Sequence, residues 1–149
     1  MSHTSGNILL HFIFSTAQRR PLIKPEFRDD LFAYLGGIVR EMHRTALTIN
    51  GEPDHVHMLT RVRPAHSAAE IMRVLKTNSS RWVREKHCPH FAWQTGYGVF
   101  SVSESNVVAV TEYIIAGQHE HHKRHSFQEE FVALLKKNHV EYDPKYIWD

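Results

Sequence analysis

The order in which strand-like and helix-like stretches follow one another is the strongest constraint on this chain. Residues 7–15, Asn-Ile-Leu-Leu-His-Phe-Ile-Phe-Ser, form a short apolar run rich in strand formers and read as a buried strand. Pro25 opens a helix expected to reach about His43, because Pro suits a first turn. Its Phe27, Leu31, Leu35, Ile38 and Met42 recur at three- and four-residue steps, the period of a packed face. Thr45–Asn50 and His55–Val62 read as two strands of a hairpin, joined by a short turn around Gly51 and Pro53 and ended by Pro64. Ser67 with Glu70 three residues on is a capping-box pattern for a helix to about Glu85. Gly98–Ser103 alternates as a last strand. This β-α-β-β-α-β order is that of an α+β, ferredoxin-like antiparallel sheet with two helices on one face.

Additional C-terminal helices follow. One starts at Val107, capped by Ser105 or Asn106, and carries Tyr113; another, capped by Ser126, runs from Phe127 to about Lys137. They are free to approach the second face of the sheet. The aromatic tail from Val140 to Asp149 is expected to pack on its own domain or on a second subunit. With no repeat, linker or low-complexity tract, residues 1–149 read as a single domain.

Within the hairpin, His55 and His57 stand two residues apart on a strand, so both project to the face opposite Val56 and Met58. Two imidazoles side by side make half of a metal site. The chain has 13 His in 149 residues, so chance alone gives roughly one such pair. A second pair, His119 and His121, does occur. The surroundings must therefore carry the reading.

Composition narrows the class. No apolar run approaches the ~20 residues needed to span a bilayer, and Met1–Gly6 lack the pattern of a secretory leader. The single cysteine, Cys88, excludes an internal disulfide and a cysteine-rich zinc site. A cytoplasmic location with no membrane partner is expected. Net charge is +2 with His neutral and the pI is about 8.8, which permits a nucleic-acid partner without demanding one. Arg19 and Arg20 make a basic turn that is either solvated or in contact with phosphates. Arg73, Lys76, Thr77, Ser80 and Arg84 recur on one helix face, either an ordinary solvated face or a surface for a sugar-phosphate backbone. Trp93 and Tyr97 either plug the core or stack on an unpaired base. His119, His121, His122 and His125 form a separate cluster, either a solvated helix end or a DNA or metal contact. A metal held by imidazoles can offset charge on a phosphodiester, and a tyrosine hydroxyl can attack its phosphorus and hold the broken strand. Nothing resembles a phosphate-binding glycine loop.

Taken with longer segments, the chain resembles the HUH single-tyrosine transposases of the insertion-sequence 200/605 type and the related REP-associated tyrosine transposases. The resemblance rests on Asp54-His55-Val56-His57-Met58-Leu59, on Leu75-Lys76-Thr77-Asn78-Ser79-Ser80-Arg81-Trp82, and on Trp93-Gln94-Thr95-Gly96-Tyr97-Gly98. It continues through Phe100-Ser101-Val102-Ser103, Glu112-Tyr113-Ile114, the Gln118–His122 run, Ser126–Glu130 and the Tyr142–Trp148 tail. It implies a homodimer that cleaves single-stranded DNA next to hairpins. Tyr113 would be the nucleophile, leaving a 5′-phosphotyrosine and a free 3′-OH, and His55 and His57 would hold Mg²⁺ or Mn²⁺. The tyrosine helix is often supplied by the other subunit.

The resemblance also implies a glutamine four residues after the tyrosine as a further ligand. Here Gln118 lies five residues after Tyr113, which on a straight helix turns it about 140° away. A π-bulge or break between Ile114 and Gln118 is therefore expected; on a regular helix His122 or Glu120 could serve instead. Two other readings remain: a domesticated relative that binds hairpin DNA with weak or no strand transfer, and a metal-dependent single-strand nuclease in which Tyr113 is structural.

Overall fold

The structure is a computed structural model that describes residues 1–42, 45–117 and 125–148. Its sheet is built from β1 (Ile8–Ser15), β2 (Thr45–Glu52), β3 (His55–Val62) and β4 (Gly98–Val102). The strands lie in the order β2-β3-β1-β4 and every pair is antiparallel. With helices α1 (Pro25–Glu41) and α2 (Ala68–Lys86) this is the expected ferredoxin-like arrangement. No helix among the described residues is long and apolar enough to cross a membrane.

Period-two alternation sorts the strands into two faces. Phe12 and Phe14 of β1 and Val56, Met58 and Val62 of β3 pack under the two helices, with Phe27, Leu31, Leu35, Val39, Ile71, Met72, Leu75 and Val83. The inward stripe of α1 thus continues to Val39, while Ile38 and Met42 are only half-buried. On α2, Ser67 accepts from the Glu70 amide (3.1 Å), as its spacing implied. Trp82 is half-buried and stacks on Tyr34 at 4.8 Å.

The hairpin turn needs only Pro53 and Asp54, because Glu52 already pairs with His55. Gly51 permits it: a Cβ there would lie 2.2 Å from the His55 carbonyl oxygen. Thr16 ties the same turn to β1 through its amide and hydroxyl, both donating to the Asp54 carbonyl (3.0 and 3.2 Å).

The other face is covered by the C-terminal part. Helix α3 (Val107–Glu112) runs directly into a π turn, Tyr113–Gly117, which is the irregularity expected there. Asn106 precedes α3, but its side chain makes no capping bond, contrary to the capping expectation. Helix α4 (Phe127–Lys137) opens on the full capping box of Ser126 and Glu129. Phe127 and Leu135 of α4 pack with Ile13 and Phe100 of the sheet, and the tail adds Tyr142, Ile147 and Trp148. The aromatic tail therefore packs on its own chain.

Candidate active site

β3 projects His55 and His57 onto the second face, as the alternation requires, and both rings are fully buried. β1 adds His11 to that face. Because β1 runs antiparallel with Ile13 opposite His57, His11 sits diagonally beside His57. α4 closes the cluster from above. Its stripe Phe127, Glu130, Leu135 faces the sheet, so a glutamate enters an otherwise apolar surface.

The polar atoms converge. Glu130 Oε1 lies 2.9 Å from His57 Nε2 and 3.4 Å from His55 Nε2. The outer nitrogens are also engaged: His55 Nδ1 meets Asp54 Oδ1 at 2.7 Å and His57 Nδ1 meets His11 Nε2 at 2.9 Å. The phenol of Tyr113 donates to Glu130 Oε2. One buried carboxylate thus bridges both histidines and the tyrosine within a single chain. Phe127 stacks on the His55 ring at 4.3 Å and shields its face.

Electrostatics follow this geometry. Burial alone would lower the His55 pKa, but hydrogen bonds to the Asp54 and Glu130 carboxylates outweigh it and raise it to about 9. Burial would raise Glu130, yet the bonds from His55, His57 and Tyr113 hold it far below the usual carboxylate range. His11 is pulled down to about 3, chiefly by burial and then by His57, and so stays neutral at physiological pH.

One ligand atom each from His55, His57 and Glu130 lies within 4.8 Å of the others. Two imidazoles and a carboxylate suit a divalent metal ion. The outer bonds to Asp54 and His11 fix each ring with its Nε2 turned inward, the arrangement that orients metal-ligating histidines. The donor set therefore fits a metal. His11 and Glu130 were not singled out in the sequence. Their signals were a histidine in the middle of a buried apolar strand and a glutamate on an apolar helix stripe. Gln118, Glu120, His119, His121 and His122 lie outside the described residues.

The proposed DNA contacts fall into different settings. Arg20, Arg73 and Arg84 are exposed, and Arg84 also approaches the Phe91 carbonyl at 3.4 Å. Arg19 stacks its guanidinium over Trp148 at 5.0 Å. Ser80 is buried and donates to the Thr77 carbonyl, so it leaves the open helix face on which its spacing put it. Lys76 donates to the carbonyls of Gln94, Thr95 and Gly96 at 2.7–3.1 Å, and burial draws its pKa down to about 8. It holds the loop before β4 rather than standing free. Trp93 is half-buried, packs against Phe14 and Phe91 and donates to Ser79 Oγ at 2.9 Å, as a core plug does. Tyr97 lines a cavity of about 250 Å³ with Arg19, Phe131, Tyr142 and Trp148. A second cavity of about 400 Å³ borders Tyr113, Glu130, His11 and Lys137.

Sequence and fold are both similar to those of known proteins. The family model for IS200-like transposases matches residues 4–117. The ISDra2 transposase TnpA of Deinococcus radiodurans is 26% identical over 117 residues, covering 74% of this chain and 83% of that protein. Among solved structures, a candidate transposase of Deinococcus radiodurans R1 superposes with a TM-score of 0.62 at 25% identity, covering 79% of this chain and 98% of the other. A REP-associated tyrosine transposase bound to a REP hairpin gives 0.60 at 14% identity, covering 81% and 74%, a likeness of fold.

Proposed function

The chain belongs to the family of IS200-like transposases, and from that premise we propose that it cuts and rejoins single-stranded DNA beside hairpins through a covalent bond to Tyr113. The observation that carries this is the carboxylate of Glu130, bonded at once to the Tyr113 phenol and to the Nε2 of both histidines. His55, His57 and Glu130 would hold a divalent metal, whose chemistry is to offset charge on the phosphodiester. Glu130 then takes the ligand role that the resemblance gives to a glutamine, from a helix beyond the matched residues. Mg²⁺ prefers oxygen ligands, so two imidazoles favour Mn²⁺.

In the reaction Tyr113 Oη bonds to phosphorus and the bond from phosphorus to the 3′ oxygen breaks. The phenolic proton, bonded to Glu130 Oε2 before attack, is lost to water, and the departing 3′ oxygen takes a proton from water and ends as a hydroxyl. Attack of another 3′-OH on the phosphotyrosine reverses these transfers, so the strand is rejoined without ATP. Arg19, Arg20, Arg73 and Arg84 are the cations offered to the DNA backbone. A homodimer is part of this reading and rests on the resemblance.

A labelled hairpin oligonucleotide with Mn²⁺ tests it. The expected result is a denaturant-stable protein–DNA adduct that disappears with chelator and in Tyr113→Phe. Binding without an adduct, or cleavage that survives the substitution, contradicts it.

A further inference from the structure

The tyrosine segment is fastened to the sheet by a side chain that is not one of the candidate metal ligands. Asn50, on edge strand β2, donates from Nδ2 to the carbonyl oxygens of Ile114 (3.0 Å) and Ile115 (3.3 Å), the two residues after Tyr113. Its Oδ1 accepts from Arg28 Nη2, and the same guanidinium nitrogen reaches the Gly51 carbonyl at 3.3 Å. Arg28 is itself held over Phe32 at 4.8 Å.

The chemistry of these partners leaves the Asn50 amide one orientation. A guanidinium only donates and a carbonyl only accepts, so the oxygen must face Arg28 and the NH₂ must face the π turn. Asn50 also pairs directly with His57 across the β2–β3 register. The backbone beside the phenol is thus tied to the strand residue opposite a metal ligand. Ile114, the first of the two residues whose carbonyls Asn50 bonds, is fully buried, which further fixes the segment.

We propose that Asn50, oriented by Arg28, is a positioning residue that holds Tyr113 in reach of the cluster in its own chain. This rests on the reading of Tyr113 as the nucleophile. Misplacing a reacting atom by about 1 Å can cost on the order of 100-fold in rate, and the Asn50 bonds join the backbone after the nucleophile to β2, the strand paired with His55 and His57.

The test uses Asn50→Leu, which removes both bonds at similar size, and Asn50→Asp, which keeps the acceptor for Arg28 and loses the donor to the carbonyls. Single-turnover cleavage of a hairpin oligonucleotide is expected to fall about 10- to 100-fold in both. Oligonucleotide affinity and Mn²⁺ affinity, the latter read by electron paramagnetic resonance, should stay within twofold of the parent protein. Amide hydrogen exchange over 113–117 should speed up. If Asn50→Leu fails to fold, Asn50→Asp decides alone, since it preserves the Arg28 pair. A folded variant that cleaves within threefold of the parent overturns the proposal, as does Mn²⁺ affinity that falls in step with the rate. An adduct that persists in Tyr113→Phe removes the nucleophile reading itself, and is seen without any Asn50 variant.

Discussion

At the scale of single residues, the cluster divides into atoms that would touch a metal and atoms that aim them. The pair His55 and His57 was legible because strand side chains two apart must share a face. Glu130 and His11 were not, because no local spacing says which helix or strand will lie against that face. The pH behaviour follows from His55. Its pKa in the folded chain is about 9 against an ordinary 6.5, a raised value, so its contribution to the metal-free fold is complete below about pH 6.5 and is lost as pH rises through about 9. A bound metal must displace that proton. Mn²⁺ affinity measured by calorimetry is therefore expected to rise with pH, by up to about tenfold per unit, and to level off near pH 9. An affinity that is flat between pH 7 and 9 would contradict the assignment of His55 as a protonated ligand in the metal-free state.

At the scale of elements, the strands and the two sheet-packing helices could be read from periodicity, and the five-residue spacing from Tyr113 to Gln118 called for the π turn that follows α3. What periodicity could not give was the partner of each face. Ser80 counts as polar and sits at the spacing of Arg73 and Arg84, yet α2 buries it because its hydroxyl can bond the Thr77 carbonyl within the helix. Helix α4 matters most for the site, since it delivers Glu130, and its start depends on Ser126 accepting from the Glu129 amide at 3.2 Å. Ser126→Ala should cost about 1 kcal/mol of stability, read as a lower urea midpoint in the metal-free protein. An unchanged midpoint would mean that α4 is held by packing alone.

At the scale of the whole molecule, the ferredoxin-like topology followed from element order, since β-α-β-β-α-β leaves one face for the helices and one for the remainder of the chain. The second face is where the account gains its content: α3, the π turn, α4 and the aromatic tail converge there and bring Tyr113 to the histidines inside one chain. The resemblance also allows the tyrosine to come from a second subunit, and a metal-bound crystal separates the two arrangements. Anomalous X-ray scattering from crystals soaked in Mn²⁺ measures this arrangement most directly. One strong peak per chain is expected, bonded to His55 Nε2, His57 Nε2 and a Glu130 oxygen, with the phenol of Tyr113 from that same chain beside it. A peak away from these three residues, or one flanked by the tyrosine of another chain, would contradict the site described.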